Sequence, residues 1–154
     1  MSRKLSVVTA EISLVAATAK TVLQITPAAN QPVKVASWGV SFDGIVVTEE
    51  PVLCRLIRST TAGTGGASPP TARYLDNDVS QSPQVTAAHN FTAEPTMGDL
   101  IDAFTIHPQT AYQVWFPEGW EPVVSLEAGT ADWLNIECTA PAAVDVVAKM
   151  FIEE

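Results

Sequence analysis

Charge is scarce in this sequence, and positive charge scarcest of all. Only 16% of the 154 residues are charged, and 8 Lys and Arg stand against 17 Asp and Glu, a formal net charge of −9. Phosphate contacts need clustered Lys and Arg, so the composition argues against a nucleic-acid partner. Long apolar runs are missing too: none approaches the ~20 residues that cross a bilayer as a helix, and no membrane partner is expected. The opening Met1-Ser2-Arg3-Lys4-Leu5 is charged, but Glu11 and Ser13 interrupt the apolar residues after it, so no signal-peptide core is expected. There are two cysteines, Cys54 and Cys138, with no Cys-x-x-Cys and no Cys/His cluster. Both sit in apolar alternating stretches, where a free thiol behaves as a small hydrophobe. A disulfide between facing strands is open from sequence, and without a secretion signal the expectation is reduced, buried thiols.

What is present is apolar and alternating. Hydrophobic residues make up 47% of the chain, enough for one core in a length that fits one domain. Trp38, Val40 and Phe42 alternate with Gly39, Ser41 and Asp43. Val52, Cys54 and Leu56 alternate with Leu53, Arg55 and Ile57. The same period of two runs through Tyr112-Val114-Phe116, Leu134-Ile136-Cys138 and Val144-Val146-Ala148-Met150-Ile152. Side chains on a strand point alternately to its two faces, so each stretch reads as half-buried β. Turn residues punctuate them: Thr26 to Pro32, Asp43-Gly44, Pro117 to Pro122, Glu127 to Thr130, and Pro141. The apolar phase shifts near Ala36, which a β-bulge explains. The fold class expected is all-β, a β-sandwich or jelly roll.

Residues 1–20 are expected as an N-terminal arm or edge strand and residues 21–154 as a single sandwich domain. Within it, residues 60–83 form one long irregular loop rich in Gly and Pro, of the kind that is functional or mobile. A short helix is admissible around Ala93–Ile101, weakened by Pro95 and Gly98.

Residues that carry catalysis are not arranged to do so. His89 and His107 have no nucleophile or ligand at a working spacing, and there is no Gly-x-Ser-x-Gly. Asp76-Asn77-Asp78 lacks the Gly and closing Glu of a calcium loop. Asp99 and Asp102 read as turn or capping acids, and Gly63-Thr64-Gly65-Gly66 lacks the Lys-Ser or Lys-Thr of a phosphate loop. The expectation is no enzyme, no catalytic residue, no cofactor and no metal.

Aromatic placement is more informative. Trp38 falls on the core phase. Trp115 and Trp133 fall out of phase with their apolar neighbours, as does Phe151, and so face away from the core or cap its edge. Trp120, in a polar turn, either folds back on its sheet or meets a partner. Apolar residues on both faces of several strands make a second buried surface plausible, most simply a subunit contact. Charge is lopsided along the chain, +3 over residues 1–73 and −12 over residues 74–154. That pattern either marks a basic docking surface or averages out once the halves interleave.

Several segments together resemble a family. Leu23-Gln24-Ile25-Thr26-Pro27, Val33 to Gly44, Pro51 to Ile57 and Thr60 to Thr64 are similar to small proteins encoded by tailed bacteriophages. So are Thr92 to Thr96, Ile106 to Gln109, Phe116 to Gly119 with Glu121 to Val124, Thr139 to Val144, and the Phe151-Ile152-Glu153-Glu154 end. The resemblance covers the chain from about Leu23 onward and rests on pattern and strand order, without a diagnostic motif. It implies a virion structural protein, most like a capsid decoration (cement) protein. Such a protein would sit on the capsid exterior, be assembled in the host cytoplasm, bind the major capsid protein and itself, and form a homotrimer. Interface candidates are Arg3, Lys4, Trp115, Trp120, Trp133 and Phe151. The alternative is a tail- or fibre-associated module that recognises host glycan through Trp120, Tyr112 and Tyr74.

Overall fold

The structure, a computed structural model, describes residues 2–45, 50–76, 82–127 and 132–154. Among these residues there is no helix: twelve strands form two antiparallel sheets in a sandwich-like, all-β arrangement. The first sheet holds β1 (Lys4–Val8), β2 (Ile12–Leu14), β4 (Val33–Phe42), β6 (Arg73–Tyr74), β9 (Ala111–Trp115), β10 (Val123–Val124) and β12 (Val144–Glu153). The second runs β7-β3-β11-β5-β8, with β3 at Ala19–Thr26, β5 at Val52–Ser59, β7 at Thr86–Ala88, β8 at Met97–Ile106 and β11 at Trp133–Thr139.

β12 organises the first sheet. β4 pairs with one side of it from Val146 to Glu153, while β2 and β1 share its other side. Its burial alternates strictly: Val144, Val146, Ala148, Met150 and Ile152 face the core, and the residues between them are half-exposed. Opposite lie Leu134, Ile136 and Cys138 of β11 and Val52, Cys54 and Leu56 of β5, all fully buried. Each buried Leu or Ile side chain contributes about 1.5–3 kcal/mol relative to exposure. Trp38 is fully buried, stacked on Phe104 at 4.7 Å, and its indole N–H donates to Asp102 at 3.1 Å.

The phase shift at Ala36 is a bulge. Ser37 pairs with Phe151 and Val35 with Ile152, leaving Ala36 as the extra residue of β4.

Of the two expectations for residues 1–20, arm or edge strand, residues 4–8 and 12–14 form strands: β2 pairs with β12 alone, and β1 lies inside the sheet between β12 and β6. Leu5, Val7, Ile12 and Leu14 are buried in the core. The alternation Leu5-Ser6-Val7 and Ile12-Ser13-Leu14 drives this, since four buried apolar side chains outweigh the entropy of an undocked arm. The helix admitted at Ala93–Ile101 is a strand from Met97 onward, β8, paired with β5 through register shifts at Leu56/Ile57 and Ile57/Ser59.

The second sheet's outward side is covered by its own chain. Ile57 and Phe91 are buried there outside the main core, beside the polar Gln24, Ser59 and Asn135. Gln24 donates to Asn135 Oδ1 at 2.7 Å, and Asn135 donates to the Ile57 carbonyl at 3.1 Å. The segments around Thr60–Gly66 and His89–Thr96 close over them through Thr60 N–H to the Thr96 carbonyl, Gly66 N–H to the His89 carbonyl and a bridge between Thr64 and Ala93. Part of the expected loop, residues 77–81, lies outside the described residues.

Cys54 and Cys138 are directly opposite in register, with their sulfurs 3.9 Å apart, both buried and unbonded. Contact with the Cys54 sulfhydryl, then burial, pushes the Cys138 thiol well above its usual range.

Three outcomes are expected. Leu56→Ala, at a fully buried position, lowers the unfolding free energy by about 2–5 kcal/mol, read as a lower urea midpoint at unchanged slope. In the native protein neither thiol reacts with a chromogenic thiol reagent at pH 8. Because the folded Cys138 value is raised, the stability it contributes is intact below the ordinary thiol value of about 8.5 and declines as pH rises from there towards the folded-state value. Equilibrium unfolding between pH 7 and 10 measures that decline.

Candidate binding surface

The two sandwich faces differ. Unlike the second sheet's outer side, the first sheet's carries the odd residues of β12: Asp145, Val147, Lys149, Phe151 and Glu153. Register extends this face in rows. Phe151 is level with Ser37 of β4, Trp115 of β9 and Ser6 of β1. Lys149 is level with Gly39, Gln113 and Val8, and Val147 with Ser41 and Ala111. Glu153 lies between Lys34 and Lys4.

Trp115 and Phe151 stack across this face with ring centroids 5.4 Å apart and planes 14° from parallel. They belong to strands separated by β4, so the rings lean towards each other over Ser37, which is fully buried and accepts a 2.7 Å hydrogen bond from the Gln113 side-chain amide. Small residues at Ser37, Gly39 and Ser41 make this lean possible. At Gly39 an added Cβ would come within 2.7 Å of the Tyr112 carbonyl oxygen. Trp115 is still 62% exposed, and Trp120, in the Pro117–Trp120 turn that follows β9, is 78% exposed with Val123 beside that turn at 43%. Trp120 does not fold back on its sheet.

Cations gather on this face. Arg55 and Arg58 are ion-paired with Glu137 and Asp132, Arg3 donates to the Tyr74 hydroxyl, and Lys20 donates to Asn90. The other four of the chain's 8 basic residues, Lys4, Lys34, Arg73 and Lys149, occupy β1, β4, β6 and β12 of the first sheet. At the opposite end of the face the carboxylates of Glu11, Asp43 and Asp145 lie within 4.8 Å of one another, and Asp43 accepts the Asp145 N–H at 3.0 Å. Two of the three are exposed, a state acidic groups commonly share without an ion, so the cluster defines a patch of negative charge.

The expected interface residues separate into groups. Trp115 and Phe151 are in contact, and Lys4 lies on the same face. Arg3 serves the chain's own closure: its guanidinium donates to the Tyr74 hydroxyl at 3.2 Å, that hydroxyl donates to Glu154 at 2.8 Å, and Glu154 accepts from the Gln84 and Val85 N–H groups. Trp133 is half-buried in the second sheet, its indole N–H buried without a partner among the described residues. The three rings considered for sugar stacking do not share a platform. Tyr74 is on β6 at one edge of the first sheet, Tyr112 is on β9 at the other edge and packs edge-on against Phe104, and Trp120 is in a turn beyond. His89 is buried with a ring nitrogen 2.8 Å from the Ser68 carbonyl, and the His107 ring accepts the Gln109 N–H at 3.3 Å.

No protein-family model, no curated protein and no solved structure matches this chain.

Trp115→Ala is expected to leave the fold intact at a stability cost of about 0.5–1.5 kcal/mol, the worth of an aromatic pair beyond its area. The check is urea unfolding together with a small loss of near-ultraviolet ellipticity.

Proposed function

We propose that this is a structural binding protein of a phage virion, decorating the outside of the capsid shell through contacts with the major capsid protein and with copies of itself. One observation carries the reading: a rigid antiparallel sheet presents a stacked Trp115–Phe151 pair to solvent, ringed by cations that have no ionic partner within the described chain. Exposed aromatic rings on a rigid scaffold are what protein interfaces are built around, because they cover large area at low entropic cost. The separated cations and carboxylates of this face give such a contact direction, since only a partner surface of complementary charge pattern is held in register at short range. The phage assignment comes from the resemblance of segments such as Val33 to Gly44 and Thr139 to Val144 to small tailed-phage proteins, which also implies three copies per assembly. The covered outer side of the second sheet supports a one-sided role, with the first sheet as the face available for docking.

The experiment is co-sedimentation of the purified protein with capsid shells. Wild type is expected to pellet with shells in a salt-sensitive manner, and the pair Trp115→Ala and Trp120→Ala to weaken binding at least about tenfold, as truncation of interface aromatics does. A protein that stays in the supernatant at low salt and is a monomer by light scattering would end this reading.

A further inference from the structure

The charges on the first sheet's outer face are separated along the strands. Glu11, Asp43 and Asp145 mark one end. Lys34 and Lys4 flank Glu153 at the other, and Arg73 is level with Ser6 one row inward. Between them the surface has a projection and a recess. The projection is the Trp115–Phe151 pair. The recess is a concavity of about 390 Å³ whose lining includes Ser41, Ala111, Val147 and Lys149.

We infer that this face pairs with the same face of a second copy, about a two-fold axis that lies between the two sheets and runs perpendicular to the strands. A two-fold parallel to the strands would set acid end against acid end. The perpendicular axis, passing near Lys149, reverses the strand direction and sets Asp43 over the second copy's Lys34, and Glu11 towards its Arg73. The same operation carries the row of Trp115 and Phe151 onto the second copy's row of Ala111, Ser41 and Val147, so each projection enters the other copy's recess. Shape and the Asp43–Lys34 and Glu11–Arg73 pairs therefore favour the same axis, while Asp145 falls over the second copy's Glu153 and opposes it; the contact is self-complementary as an isologous interface requires.

The face is about 19 Å wide over five strands and about 26 Å long from Asp145 to Glu153, taking ~4.8 Å per strand and ~3.3 Å per residue. That is roughly 500 Å² per copy against the ~800 Å² of a standard interface, so the dimer is reversible. Lys149 faces its own counterpart at the axis and opposes the pairing.

Sedimentation equilibrium without shells tests this. Wild type is expected to dimerise reversibly, more weakly as salt rises. Lys4→Glu with Lys34→Glu makes both ends acidic, and Glu11→Lys with Asp43→Lys reverses the two acids that meet cations; each variant alone is expected to be monomeric. An equimolar mixture of the two is expected to dimerise again, since every end then meets its opposite. If Asp43→Lys disturbs folding by circular dichroism, Glu11→Lys alone replaces it. Lys149→Met is expected to tighten the dimer and Trp115→Ala to weaken it at least tenfold. A wild type that is monomeric at millimolar concentration, a mixture that stays monomeric, or an oligomer of any size that ignores the reversals overturns the inference. The paired face is the one proposed to meet the shell, so this dimer is the off-shell state and competes with shell binding; sedimentation equilibrium without shells reads the self-contact alone and co-sedimentation reads the shell contact.

Discussion

Strict alternation along one doubly paired strand is the constraint on which the rest of this structure depends. β12 has neighbours on both sides for most of its length, so neither its register nor its facing is free. A slip of one residue would carry Val146, Ala148, Met150 and Ile152 to solvent and Lys149 and Glu153 into the core. With β12 held, the registers of β4, β1 and β9 are set in turn, and with them the rows of the outer face. The Trp115–Phe151 stack, the buried Ser37 beneath it and the cations around it are therefore consequences of core packing.

The two sheets treat their outer sides differently, and the difference is chemical. The second sheet turns Gln24, Ser59 and Asn135 outward and roofs them with its own chain, where their amides and hydroxyl find one another and a backbone carbonyl. Buried polar groups satisfied in this way specify one arrangement, because any alternative leaves a donor or acceptor unpaired. The first sheet turns outward a surface of serine, glycine, alanine, two stacked rings and scattered charge.

Much of the architecture is legible in the sequence, because period-two patterning is strong wherever one strand face is buried. Trp38–Phe42, Val52–Ile57, Leu134–Cys138 and Val144–Ile152 all lie within strands, and the disturbance at Ala36 is a bulge. The first strands escape such a reading since Lys4–Val8 and Ile12–Leu14 are short, and so few alternating residues resemble a tail. β8 passes for a possible helix because Leu100 and Ile101 are adjacent apolar residues, and the register shifts along β8 break the alternation that would mark a strand. Of the surface, the sequence shows which aromatics are out of phase. It does not show that Trp115 and Phe151 meet, because their contact is made across an intervening strand. The bond from Trp38 to Asp102 is hidden because it joins strands of different sheets, 64 residues apart in the chain.

The extra residue at Ala36 has a consequence for how one strand can serve a single core from both of its halves. Before it the core-facing side chains are odd-numbered, Val33 and Val35; after it they are even-numbered, Trp38, Val40 and Phe42. The bulge thus works as a phase converter. With it excised, an unbroken pleat could keep only one half in step: either Val33 and Val35 would turn to water with Lys34 driven inward, or the tryptophan would leave the interior. A chain with this pattern is committed to its kink, and every homologous strand that preserves both hydrophobic sets must carry an equivalent dislocation between them.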